Sequence, residues 1–251
     1  MTDATLRRLL IPASLLVGAL IFLPNSQWVF HALFPALERP VYRRVGFFEL
    51  TVSHVVVVVV ATALAAFIGI GLAVAVSRPA SRRVKPLVMA VATIGQSFPP
   101  VAVLTIAVPL LGYGNAPTVV ALFAYALLPI IVNTIAGLES IDAGVSEAAD
   151  GMGLSPRQRL LKVELPLAAP IILAGIRTAA IINVGTATVG STVGAATLGN
   201  PIIEGLSAYN TAYVLQGAIL VGLLAIVVDR AIAAGGVYIF SRQAGVLADR
   251  P

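Results

Sequence analysis

Apolar runs long enough to cross a lipid bilayer recur along this chain, and no other feature narrows its possible folds so far. A helix rises about 1.5 Å per residue, so roughly 20 apolar residues span a hydrocarbon core of about 30 Å. Hydropathy places such spans at about 9–24, 50–76, 87–111, 117–138, 168–192 and 212–237. Within lipid every backbone polar group needs a partner inside the protein, which leaves helices or closed barrels. Alternating strands of roughly ten residues are absent, so the barrel is excluded. The chain therefore reads as an all-α integral membrane protein with six transmembrane helices. Its composition agrees: 59% hydrophobic and 11% charged, against about 25% charged in a soluble domain.

The charge that remains is placed unevenly. Arg7, Arg8, Arg78, Arg82, Arg83, Lys85, Arg157, Arg159, Lys162, Arg230, Arg242 and Arg250 fall on one side of the membrane, and Arg39, Arg43 and Arg44 on the other. Basic residues are retained on the cytoplasmic face, so both termini and the loop 139–166 are expected in the cytoplasm. The net charge of +5 is thereby explained by orientation, with no nucleic-acid partner. Arg177 falls inside the fifth span, where snorkelling toward the interface accounts for it. No small-x-small cleavage site follows the first apolar run at Leu23-Pro24-Asn25-Ser26, so that run is expected to stay as a helix.

Several chemistries are excluded or disfavoured. With no cysteine there is no disulfide, thiolate nucleophile or Cys-held metal. His31 and His54 lack a paired-carboxylate pattern for a metal site. An ion-driven carrier needs carboxylates at mid-membrane, and the spans carry only Asp229, near an end. No HExxH and no convincing Ser-His-Asp set supports an intramembrane enzyme. Neither lysine, Lys85 or Lys162, follows a glycine as a phosphate-binding loop requires, so ATP is not hydrolysed by this chain.

The loop Glu147–Pro166, EAADGMGLSPRQRLLKVELP, stands out in this apolar setting. Ser146 to Met152 suits about two helical turns, and Gly153 suits the left-handed residue that ends a helix. Ser155 is a good N-cap, Pro156 fits the first helical position, and Gln158 stands where a capping-box partner reaches back. A second short helix is expected to place Leu161 and Leu165 on one face and to end at Pro166. The spacing predicts a helix, a tight turn and a helix at the membrane surface, with Ala148 and Ala149 leaving a narrow flank for another protein.

The pattern Glu-Ala-Ala, three residues, Gly, nine residues, Val163, one residue, Leu165-Pro166 closely resembles the EAA motif of binding-protein-dependent ABC importer permeases. Val163 stands where the motif has Ile, a loss of one methylene that keeps the packing role. The resemblance extends from about Glu49 to Arg242. It implies a MetI-like type I fold, with a five-helix permease core plus one N-terminal helix. It divides the chain into an N-terminal helix and outer segment (1–49), a transmembrane domain (50–240) with its coupling loop, and a cytoplasmic tail (241–251). Glu147, Ala148, Ala149, Gly153, Ser155, Pro156, Val163, Leu165 and Pro166 are then the residues that meet the motor. The implied partners are ABC ATPase subunits, which bind ATP and Mg, a second permease subunit of the same or a related chain, and an extracytoplasmic substrate-binding protein. The implied location is the bacterial inner membrane, and this chain itself holds no cofactor or metal.

The stretches Ile94–Leu104, Tyr125–Thr134 and Gly175–Thr188 are similar to the osmoprotectant branch, which imports glycine betaine, choline, carnitine and related quaternary amines. An ABC permease for another small solute, such as an amino acid or a sulfonate, is the alternative, and an ion-coupled secondary transporter is a weaker one. Pro99-Pro100 must kink or break the third span, and Gln96, Ser97, Phe98, Pro99 and Pro100 then either form a gate or only a packing kink. Asn133, Asn183, Thr186 and Thr188 either line the pathway or join helices. Gly190 and Gly194 form a small-xxx-small pair that permits close helix approach, suited to a tight permease-permease contact or an outer gate, with Gly199-Asn200-Pro201 as a turn beyond it. His54 is expected to be structural, and Arg39, Arg43 and Arg44 to face an acidic surface of the binding protein. No aromatic cage for a quaternary amine is evident in the spans, so substrate selection is assigned to that binding protein.

Overall fold

The computed structural model describes residues 3–248, and side chains from 7 to 237. The end of the C-terminal tail, Arg250 included, lies outside the described residues. Every regular element among them is helical. The long helices are α1 (Asp3–Phe22), α3 (Phe47–Val76), α6 (Asn115–Glu139), α9 (Leu165–Thr186) and α11 (Thr211–Ala248), and shorter ones are α2 (Gln27–Leu33), α4 (Lys85–Ser97), α5 (Pro100–Leu111), α7 (Ala143–Gly151), α8 (Pro156–Arg159) and α10 (Gly199–Ser207). Among the described residues, five helical runs are long and apolar enough to cross a membrane, and α4 with α5 makes a sixth if the bent pair counts as one span. Counted with that pair, which bends by 95°, the spans match the six expected.

The chain divides into two compact units, one of residues 1–61, 100–122 and 180–251, the other of residues 62–99 and 123–179. The first is built around Leu50, Val57, Val58, Leu122, Val184, Leu198 and Leu220, with α11 packed against α1 and α10. The second has a leaner core. Ala65, Ala126, Ile130 and Ala179 form one cluster, and Ala73, Val76, Ala92, Ile131 and Ile135 another. Small residues let backbones approach where lipid supplies no hydrophobic drive between helices. At Gly175 of α9 the approach is close enough that a Cβ would lie 2.8 Å from the Pro129 carbonyl oxygen.

Large apolar side chains such as Phe67 and Leu110 point outward, as a lipid-facing surface requires. The valine run divides between the two settings, with Val57 and Val58 buried and Val56 and Val59 exposed.

Two elements depart from the expectation. Gly199-Asn200-Pro201 is the first turn of α10 and not a free turn, because proline needs no N–H in a first turn. The Gly190/Gly194 pair is no continuous helix face. Ala187–Val193 is a 3-10 helix, Gly194 closes it at φ +82°, and Gly190 packs within the chain against Thr118.

Candidate functional site

The loop 139–166 lies wholly within the second unit, and its two short helices follow from their caps. Asp142 accepts from the Gly144 N–H at 2.7 Å and starts α7 at Ala143, earlier than Ser146. Gly153 ends the helix at φ +77°. Its N–H bonds the Asp150 carbonyl, and the Leu154 N–H bonds that of Ala149. This pair of bonds is a Schellman closure. Ser155 and Gln158 then form a reciprocal capping box around Pro156. Glu147 and Ala148 face outward while Ala149 is buried, so α7 offers one flank and seats the other.

Pro166 does not end the second helix. The run from Pro156 continues into α9 through a π turn at Leu160–Glu164, where the Leu165 N–H reaches back to the Leu160 carbonyl. A proline ring clashes with the carbonyl four residues earlier, and the wider turn removes that conflict. The buried side chain of the segment is a charged one. Leu161 is exposed, Val163, Leu165 and Pro166 are half-buried, and the buried side chain is Glu164.

Glu164 is the centre of an ion-pair network that motif spacing did not disclose. Arg78, just past the end of α3, meets it in a fork, Nη2 to Oε2 at 2.6 Å and Nη1 to Oε1 at 3.2 Å. Arg159 donates to the same carboxylate through Nε at 3.0 Å and also pairs with Asp150 of α7. Lys85 joins the start of α4 to Glu139 at the end of α6, at 2.7 Å. Sequence offered only the charges themselves, since Arg78 and Glu164 are 86 positions apart.

The double proline breaks the third span. α4 ends at Ser97, Phe98 is extended with ψ 135°, and α5 begins at Pro100. The Phe98 carbonyl, freed by the break, accepts from the Tyr125 hydroxyl, the internal partner that a break within a membrane span demands. Ser97 bonds the Thr93 carbonyl at 2.7 Å, Gln96 is half-buried, and Ser97 to Pro99 are exposed. Asn133 bonds the Pro129 carbonyl of its own helix at 2.8 Å and stands opposite Gly175.

In the first unit, Asn183 is fully buried, Thr186 is half-buried at the end of α9, and Thr188 bonds the Gly185 carbonyl at 2.7 Å. His54, also fully buried, ties together two stretches that sequence left unconnected. Its Nδ1 accepts from the Leu198 N–H at 3.2 Å, so Nε2 carries the proton and donates to the Val184 carbonyl at 3.0 Å. The segment before α3 is held as firmly. Gln216 accepts from the Tyr42 N–H at 3.0 Å and donates to the Pro40 carbonyl at 2.6 Å, and Asn210 donates to the Arg39 carbonyl at 2.9 Å. On and just after this pinned segment, Arg39, Arg43 and Arg44 border a pocket of about 570 Å³ with Tyr42, Tyr213 and Glu204. No group of metal-ligating side chains occurs among the described residues.

Residues 65–234 match the family described as the inner membrane component of binding-protein-dependent transport systems. The chain is 39% identical to the osmoprotectant import permease protein OsmY of Salmonella typhimurium over 78% of its own length and 84% of that protein's. It is 38% identical to the choline transport system permease protein OpuBB of Bacillus subtilis, over 73% of this chain and 83% of the other. Among solved structures, the MetNI methionine ABC transporter in an inward facing conformation aligns at a TM-score of 0.65 and 24% identity, over 74% of this chain and 93% of that one, a likeness of fold. This chain belongs to the inner membrane components of binding-protein-dependent transport systems, the permeases of ABC importers.

Proposed function

We propose that this permease imports glycine betaine or a related quaternary-amine osmoprotectant across the bacterial inner membrane, driven by ATPase subunits that grip the loop 139–166. The substrate class rests on the relatives, whose names include osmoprotectant, choline and glycine betaine/carnitine/choline transport. The coupling role rests on one observation above the rest: α7 presents Glu147 and Ala148 outward from a helix whose two ends are both capped and whose other flank is seated by Ala149. Such a surface can receive a push without unwinding. Gly153, Ser155 and Pro156 set the angle of the turn, and Val163, Leu165 and Pro166 connect it to α9.

Both termini and the loop face the cytoplasm in this reading, following the bias of basic residues. The transmembrane domain spans residues 50–240, preceded by the helix and outer segment of 1–49 and followed by a tail at 241–251. ATP and Mg belong to the partner subunits. A second permease subunit completes the pathway, and the gate lies at Gln96–Pro100, where exposed polar and backbone groups interrupt a span. Asn133, and in the first unit Asn183, Thr186 and Thr188, line the pathway or join the helices around them. The binding protein delivers cargo to the opposite face, where Arg39, Arg43 and Arg44 meet its acidic surface.

Reconstitution of the permease with its ATPase and binding protein tests the reading. Radiolabelled glycine betaine or choline should accumulate in vesicles only with ATP, and Glu147→Arg should lower uptake per ATP hydrolysed while the protein still inserts. Normal uptake per ATP in that variant removes the coupling role. Uptake of none of the quaternary amines removes the substrate class alone.

A further inference from the structure

Covalently, α7 and α8 reach the rest of the second unit through the chain leading from α6 and through the π turn into α9. The π turn is a single-turn interruption of the α-helix around it, a form that recurs at functional sites. A second route runs through side chains alone. Asp150 stands on α7 directly after Ala149, Arg159 closes α8, Glu164 sits on the π turn, and Arg78 follows α3 by two positions. Arg78 is itself fixed there, its N–H bonding the Ala75 carbonyl while the Ser77 hydroxyl bonds that of Ala73.

We infer that Arg78 and Glu164 form the joint through which movement of the loop is passed to helix α3, with Arg159 as the link back to α7. This rests on the coupling role proposed above. The chemistry suits a joint better than a glue. A carboxylate held by an arginine fork on one side and a second arginine on the other is constrained in direction as well as distance. Stability alone gives little reason for such a group, because apolar replacements of buried ion pairs are often neutral or stabilising. The Glu164 side chain is only 10% exposed, so water does not compete for these bonds as it does at Asp150, 53% exposed.

The test uses the reconstituted complex of this chain with its ATPase and binding protein, reading ATP hydrolysis and uptake in the same vesicles. Arg78→Ala and Glu164→Gln should each lower uptake per ATP about tenfold, within the usual range of coupling between sites. The double variant should lose no more than either single, since both break one joint. Arg78→Lys keeps the charge without the fork and should recover part of the loss, which a purely structural charge would recover in full or not at all. Unchanged uptake per ATP in the singles, or losses that multiply in the double variant, overturns the inference. If Arg78→Ala does not assemble, Arg78→Lys and Glu164→Gln carry the comparison, and full coupling in both overturns it. Glu147→Arg run alongside separates the two failures. If it too stays coupled, the reading of the loop has failed, whereas if it uncouples while the Arg78 and Glu164 variants do not, only the joint has.

Discussion

The loop 139–166 and the pinned segment 39–42 with His54 solve one problem, the fixing of irregular backbone, with opposite chemistry. The loop relies on charge: Asp150, Arg159, Glu164 and Arg78 hold one another through carboxylate and guanidinium. The other region relies on neutral groups: Gln216, Asn210 and His54 bond backbone N–H and carbonyl groups directly. Exposure separates them. Gln216 and His54 are fully buried, where an unpaired charge would be far costlier than an unpaired amide. The loop's charges are partly exposed, Asp150 at 53%, and the buried Glu164 among them is paired with two arginines.

The largest effect should come from Gly199→Val. A Cβ there would lie 1.9 Å from the Thr188 carbonyl oxygen, against backbone that cannot yield locally. Loss of folded protein from the membrane fraction, with no sharp thermal transition in detergent, is the expected result. A stable variant would show the first unit to be more adaptable than its neutral bonding implies.

Next is Gln216→Leu, which orphans the Tyr42 N–H and the Pro40 carbonyl at about 1–3 kcal/mol for each buried group. Thermal unfolding should fall by several degrees, and amide exchange should rise at residues 39–42 while the loop 139–166 keeps its protection. Gly153→Ala should do the reverse. Forcing a Cβ into φ +77° costs about 1–2 kcal/mol, read as faster exchange across α7 and α8 with residues 39–42 unaffected. Equal exchange changes in both regions, from either variant, would erase the distinction. The smallest effect belongs to salt. Raising it from about 0.1 to about 1 M shortens the screening length from roughly 10 to 3 Å, so protease access to the loop should rise slightly and access to the neutral region should not.

These regions also differ in how far sequence reached them. The caps of α7 and α8 depend on residues two to five positions apart, so Gly153, Ser155 and Gln158 could be placed from spacing alone. The partners of Gln216 lie 174 and 176 positions away, and those of His54 lie 130 and 144 away, and no periodicity encodes a pairing of that kind. Prolines mark the same boundary. Two in succession at Pro99-Pro100 leave no helical solution, and the break was legible. A single proline at Pro166 is absorbed by the π turn, and Pro12, Pro109, Pro129 and Pro170 all sit inside helices, where local adjustment supplies the missing partners.

The π turn also acts as a ruler of rotation. Each residue in a helix advances direction by roughly 100° and length by about 1.5 Å, so a residue removed between Pro156 and Pro166 would swing Glu147 and Ala148 about a quarter-turn around the axis of α9. The nine residues between Gly153 and Val163 therefore fix a phase. Substitutions along this stretch alter how tightly the loop is held, whereas a one-residue deletion would leave the outward face of α7 chemically unchanged and aim it in a different direction.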